Sequence, residues 1–244
     1  IWGNTALTVS NIKISSSRIP IAFSGFRIAQ VSDLHNAEFG KGNRKLLELL
    51  SESKPDIIAI TGDLVDAGHT DIGVALDFAK EAVKIAPVYY VTGNHEASLS
   101  QYNELKAGLE TIGVTVLDND AVQLNHGKEA ISLIGLSDPD FTIKGDIFGE
   151  VPAMVSTKLN NLADDENSYT ILLYALHVRN HHTRSQIGIF THILKVTSIQ
   201  RSTVNVDTRS QKNILVAITR LFTDTFSVKQ GHIGIPCSLS LIHI

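Results

Sequence analysis

Residues 26–35 read FRIAQVSDLH, residues 56–66 read DIIAITGDLVD and residues 87–96 read PVYYVTGNHE. Each segment is a short β-branched or aromatic run that stops at a cluster of polar residues, the pattern of a strand buried on both faces. Helical patterns lie between them. Leu46, Leu47, Leu49 and Leu50 follow the helix-starting pair Gly42-Asn43, and Ile72, Ala75, Leu76, Ala79 and Val83 recur at helical spacing before Pro87. Strand, helix, strand, helix, strand predicts βαβ units with parallel strands, so all three polar clusters emerge at one carboxyl edge. Open α/β sheets place their ligands at that edge.

The chemistry of the clusters points to metal. Asp33 and His35 are two apart, so on leaving an extended strand they project to one side and can grip an ion through carboxylate oxygen and imidazole nitrogen. Asp63 supplies a second carboxylate, and Gly62 lets the backbone pass close to a bound group. Asn94 offers an amide oxygen, and His95 a group that titrates near neutral pH. Mixed oxygen and nitrogen donors suit Mn, Fe or Zn. Two such ions about 3.5–4 Å apart can hold a phosphate oxygen, activate a water and stabilise both ends of an in-line displacement. Taken singly, each cluster also reads as turn or helix-cap punctuation. Their joint order and spacing favour the functional reading. His69 and His126 sit in turn-like contexts and read as surface residues, and Tyr89 and Tyr90 read as packing.

DLH at 33–35, GDLVD at 62–66 and GNHE at 93–96 resemble, in order, spacing and strand-end context, the first three motifs of the calcineurin-like metallophosphoesterases. The resemblance spans residues 2–174. It implies that Asp33 and His35 bind a first metal, that Asp63 bridges two, and that Asn94 binds the second. It further implies that His95 is the general acid that protonates the leaving alcohol and that Asp66 orients His95. The expected activity is hydrolysis of phosphomonoesters or phosphodiesters with two divalent ions (Mn, Fe or Zn) and a metal-activated water. The implied fold is α/β, two packed mixed β-sheets flanked by helices, with the metals at the carboxyl edges between them. Residues 25–36 are similar to a bacterial, often membrane-attached branch, which adds lipid-linked or nucleotide phosphoesters as substrates. That branch often carries a hydrophobic segment ahead of a lead-in like Ile1-Trp2-Gly3-Asn4, so a membrane anchor preceding residue 1 stays open. Residues 1–21 hold no apolar run of the roughly 18 residues that a membrane helix needs. The expected location is cytoplasmic or membrane-associated in a bacterium.

The 244 residues suit one large α/β domain or two small ones, and an apolar fraction of 43% is ample for a core. A formal net charge of −4 makes no electrostatic case for nucleic acid as a partner. The single cysteine, Cys237, excludes an internal disulfide framework and a cysteine metal cluster. Alternation from Leu7 to Ile14 predicts an edge strand before the first cluster. After the third come a helix from Tyr102 towards Gly113, a strand at Val114–Leu117, and a hairpin about Asn125-His126-Gly127-Lys128. Ser137-Asp138-Pro139-Asp140 starts a loop, residues 151–162 form a weak helix, and residues 169–174 form another buried strand.

Beyond that strand the text changes. Through Thr170 there are 13 basic and 23 acidic residues; from Ile171 onward there are 8 and 2. The chain therefore reads as a motif-bearing domain, 1–174, and an atypical C-terminal segment, 175–244. The family expects a histidine after a strand like Ile171-Leu172-Leu173 and a later Gly-His-x-His. Ala175 stands at the first position, with His177 two residues on and on the same face of an extended chain, which makes His177 the expected metal ligand. Phe190-Thr191-His192 keeps only the last histidine of the second motif, and Gly231-His232-Ile233-Gly234 only the first; His181 and His182 are further candidates. Either a diverged tail rebuilds the site from the 177–192 histidines, or the tail, with its closing residues 237–244, is foreign to the enzyme. The shift in composition favours the second account, with an incomplete second sheet. The alternative function is then a non-catalytic or inactive metal- or phosphate-binding remnant.

Overall fold

The computed structural model describes residue 7 and residues 9–142, 151–162, 168–175, 192–194 and 237–243. Chain order begins with β1 (Ser10–Ser16), β2 (Arg27–Val31), α1 (Arg44–Ser53), β3 (Ile57–Thr61), α2 (Ile72–Ala82) and β4 (Val88–Val91). There follow the single turn α3 (Asn94–Ala97), α4 (Tyr102–Ile112), β5 (Thr115–Val116), β6 (Asp120–His126) and β7 (Glu129–Leu136). A 3-10 turn at Pro139–Phe141 precedes α5 (Val151–Leu162), β8 (Thr170–Tyr174), β9 (His192–Leu194) and β10 (Cys237–His243).

The first sheet has the order β1-β10-β2-β3-β4-β5 and the second β6-β7-β8-β9. In the first, β10, β2, β3, β4 and β5 run parallel and β1 is antiparallel to β10. In the second, β6 and β7 are an antiparallel hairpin, β8 is parallel to β7, and β9 is antiparallel to β8. Parallel neighbours end at the same edge, so the exits of β2, β3 and β4 lie side by side, as the alternation of helix and strand predicts.

Period-2 geometry explains why wholly apolar strands were needed. Along β3, Ile58 and Ile60 pack with Leu46 and Leu50 of α1, Phe78 and Ala79 of α2, and Leu105 and Leu109 of α4. Ile57 and Ala59 point the other way, into a core shared with Ile131 and Leu133 of β7 and Ile171 and Leu173 of β8. The outer face of the second sheet, through Ile134 and Leu172, is closed by Leu159 of α5. Helix, sheet, sheet and helix thus form four layers over three apolar interfaces, and the α/β fold with two packed mixed sheets stands as expected.

The hairpin turns at Gly127, whose φ of 62° favours glycine. β1 is the edge strand, beside β10, and Ile12 on it is 50% exposed. Of the C-terminal segment, His192–Leu194 extends the second sheet and Cys237–His243 lies inside the first, between β1 and β2. His177, His181, His182 and His232 lie outside the described residues, and of His192 only the backbone strand is described.

Candidate metal centre

The site grows from three loops continuing β2, β3 and β4. Beyond the last strand residues the ladder persists: Asp33 N–H donates to Gly62 O at 3.2 Å, His35 N–H to Asp63 O at 2.9 Å, and Gly62 N–H to Val91 O at 2.9 Å. The loops do not stay extended. Asp33 (φ 51°), His35 (φ 47°), Asn36 (φ 58°) and Asp63 (φ 48°) all occupy the left-handed region. Non-glycine residues are uncommon there and concentrate at functional sites, each at about 1–3 kcal/mol. Asp33 and His35 therefore share a side through a left-handed turn and not through strand alternation.

Glycines make the loops fit. A Cβ at Gly62 would lie 2.5 Å from the Cβ of Ala175 and 3.0 Å from Gly93 Cα, and its φ is 79°. Ala175, directly after β8, thus faces the site, at the position where the sequence pattern expects a histidine.

Three donors converge: atoms of His35, Asp63 and His95 lie within 4.8 Å of one another. His35 Nε2 is 3.8 Å from Asp33 Oδ1 and 3.9 Å from Asp63 Oδ2, and the His35 and His95 rings meet edge to face with centroids 4.4 Å apart. Asp63 Oδ1 accepts from His95 N–H at 2.9 Å, which leaves Oδ2 towards His35. Asn94 opens α3 beside His95 and is half-buried.

The electrostatics favour a cation. Burial raises the Asp63 carboxyl above the usual carboxylate range, against the His95 amide and the two imidazoles. The Asp33 carboxylate raises the His35 imidazole, with Asp63 and Asp66 adding to it and burial opposing. A buried carboxylate set beside a second carboxylate and imidazole nitrogens is a donor set that a divalent ion would satisfy.

His95 and Asp66 are near each other but not bonded. Asp66 Oδ1 lies 4.0 Å from His95 Nδ1. That oxygen accepts instead from Gly68 N–H at 2.7 Å and His69 N–H at 3.2 Å, and the Gly68 bond leads in holding the Asp66 carboxyl below its ordinary range. His95 Nδ1 accepts from Ala67 N–H at 3.1 Å. With Nδ1 as acceptor, the neutral ring carries its proton on Nε2.

Several residues here were given no role by the sequence reading. Asn36 Oδ1 accepts from Asp66 N–H at 2.8 Å and its Nδ2 donates to Asp71 O at 2.5 Å, tying the first loop to the second. Asp138, 2% exposed after β7, brings a second-sheet carboxylate to the same edge. Its N–H donates to Thr92 Oγ1 at 3.2 Å, and burial pushes its carboxyl up to about 7. Glu96, inside the third signature, is fully buried, and burial, then Asp63, raises its carboxyl against three backbone amides.

Among the described residues no helix is long and apolar enough to cross a membrane. The sequence profile of the calcineurin-like phosphoesterases matches residues 26–184. The uncharacterized metallophosphoesterase YkoQ of Bacillus subtilis is 30% identical over 116 residues, covering 46% of this chain and 43% of that protein. A transmembrane protein with metallophosphoesterase domain of Danio rerio is 25% identical over 138 residues, 53% of this chain and 31% of that one. The matched segments thus span less than half the length of either relative. Among solved structures, TT1561 of Thermus thermophilus is similar with a TM-score of 0.47 at 17% identity, covering 64% of this chain and 69% of that one.

Proposed function

Because the chain belongs to the calcineurin-like phosphoesterase family, a family that uses divalent metals, we propose that it hydrolyses phosphomonoesters or phosphodiesters at a site for two divalent ions. The observation that carries the proposal is the convergence at the carboxyl edge of parallel strands: His35 Nε2 lies 3.8 Å from Asp33 Oδ1 and 3.9 Å from Asp63 Oδ2, three ligand atoms together, with His95 within 4.8 Å of His35 and Asp63 as the acid beside them. When bound, divalent ions supply Lewis-acid polarisation of phosphoryl oxygens and lower the pKa of a water. Asp33 and His35 would hold one ion, Asp63 both, and Asn94 with His177 the other, with Mn, Fe or Zn suited to the donor set.

His95 is the general acid in this reading. Its Nδ1 accepts from Ala67 N–H, which leaves Nε2 to face the leaving alcohol. To protonate an alkoxide the ring must first be charged, and in that state Nδ1 donates and the Ala67 bond is given up. Asp66 acts at one remove: by accepting from Gly68 and His69 it shapes the turn that presents the Ala67 amide. The substrate class extends to lipid-linked phosphoesters if the chain works at a membrane, as the Danio rerio relative's name suggests for that protein.

A second reading, an inactive metal-binding remnant, is favoured by one observation, the methyl of Ala175 where an imidazole is expected over Gly62. The test is metal content of the purified chain by elemental analysis after Mn loading, with bis-nitrophenyl phosphate turnover measured on the same sample. The proposal expects two ions per chain and turnover abolished by Asp63→Ala. One ion or none, without turnover, supports the remnant. His95→Asn is expected to cut turnover at unchanged metal content; equal loss of both would make His95 a ligand instead of the acid.

A further inference from the structure

We infer that Glu96 is the positioning residue that aims the Asp63 carboxylate, acting through three backbone hydrogen bonds; the inference rests on Asp63 being a metal ligand. Glu96 is 0% exposed, and among the described residues no Lys or Arg pairs with it. Three peptide groups donate to it, and the buried Tyr90 side chain lies against the same carboxylate. Oε2 accepts from Gly93 N–H at 2.7 Å and from Asp63 N–H at 2.9 Å, and Oε1 accepts from Val65 N–H at 3.2 Å.

The bond to Gly93 is the ordinary reach of a third helical residue back to its N-cap amide. The other two are not explained by capping. They cross from the β4 exit to the β3 exit and grip the amides on either side of Leu64. Asp63, at φ 48°, sits in the left-handed region, which costs a non-glycine residue about 1–3 kcal/mol, and hydrogen bonds from the β4 exit hold it there. Glu96 holds its amide, and His95 N–H, one residue before Glu96, holds Oδ1 at 2.9 Å. With amide and Oδ1 both tied, Oδ2 is left towards His35.

Only an ionised carboxylate suits three converging donors, because it accepts at both oxygens and donates at neither. Glutamine would set an N–H against an N–H, and aspartate is one methylene short. Losing this hold frees Asp63 to relax towards ordinary backbone angles and swing its carboxylate away.

The experiment uses the full chain, stripped of metal, and Mn²⁺ as the probe, titrated by electron paramagnetic resonance into wild type, Glu96→Gln and Asp63→Asn, with thermal melts alongside. Glu96→Gln is expected to melt cooperatively and to bind Mn²⁺ about 10–100-fold more weakly, the range for removing an outer-shell partner of a ligand. A role in folding alone would lower the melting temperature and leave the affinity of the folded protein unchanged, and that result overturns the inference. Wild-type binding lost in Asp63→Asn but kept in Glu96→Gln sinks this inference and leaves the metal site standing. Failure of wild type to bind Mn²⁺ removes both. Should Glu96→Gln not fold, hydrogen exchange on metal-free wild type decides. The amides of Asp63, Val65 and Gly93 are expected to exchange as slowly as those within β3, and exchange at exposed-loop rates overturns the assignment.

Discussion

Replacing Gly93 with alanine tests the packing that seats Asp63. The backbone at Gly93, φ −109° and ψ −171°, is extended and open to any residue, so the substitution brings no conformational penalty. Space is what forbids it. A Cβ there would stand 2.6 Å from Asp63 N and 2.8 Å from Asp63 Cγ, and would overlap Asp63 Oδ1 outright. Unstrained carbon contacts lie near 3.5–4.0 Å. Neither obstacle yields easily, since the amide is held by Glu96 at 2.9 Å and Oδ1 by His95 N–H at 2.9 Å. Overpacking of this kind costs about 1–3 kcal/mol. For a chain of this length that is a fall in melting temperature of about 2–12 °C. Relief comes most easily by turning the carboxylate out of its seat, so Mn²⁺ affinity is expected to fall at least about tenfold. The assay is a circular-dichroism melt and a Mn²⁺ titration on the same preparation. Wild-type values in both would refute the reasoning, because the Asp63 carboxylate could not then occupy the space described. A lowered melt with unchanged affinity would keep the packing and remove the link to metal.

Asp138→Asn keeps the oxygen that accepts from Asp140 N–H at 2.8 Å and removes a buried charge. The native carboxyl titrates at about 7, above its unfolded value, so between that value and 7 the native state holds the extra proton. Wild-type stability therefore falls as pH rises through this window, and the variant should gain on wild type between about pH 4 and pH 7 by on the order of a few kcal/mol, with no further gain above. Urea midpoints of the metal-free proteins check this, and a difference independent of pH would refute it. Tyr169 is 2% exposed and among the described residues its hydroxyl finds no hydrogen bond, so Tyr169→Phe should be neutral or stabilising by up to about 1 kcal/mol in urea unfolding. A loss above about 1 kcal/mol would mean that the hydroxyl has a partner. Ending the chain after residue 236 removes β10, the strand between β1 and β2, and among the described residues leaves β1 without a neighbour and β2 with an open edge. Aggregation or a broadened melt is expected, and an unchanged cooperative melt would mean that these residues contribute nothing to the sheet.

Much of the fold was legible because its signals are local. The wholly apolar run of β3, the helical spacing of α1 and α2 and the glycine of the β6–β7 turn each declare themselves within a dozen residues. Parallel order then follows from connection lengths, and with it the gathering of DLH, GDLVD and GNHE at one edge. The closing strand carried no such signal: Leu241 pairs with Ile12 and Ile28, and nothing within residues 237–243 names those partners.

The site divides the same way. Residue type and spacing singled out Asp33, His35, Asp63, Asn94 and His95, because donor chemistry is a property of each side chain. Tertiary structure decided what holds them. Glu96 reaches Asp63 and Val65 across 33 and 31 positions, and Ala67 reaches His95 across 28. The left-handed turns at Asp33, His35 and Asp63 are uncommon conformations that no local pattern announces, and hydrogen bonds from neighbouring loops hold them. Sequence by itself determined which atoms could bind and along which edge. Hydrogen bonds between strand ends, with no period or propensity along the chain, decided where those atoms point.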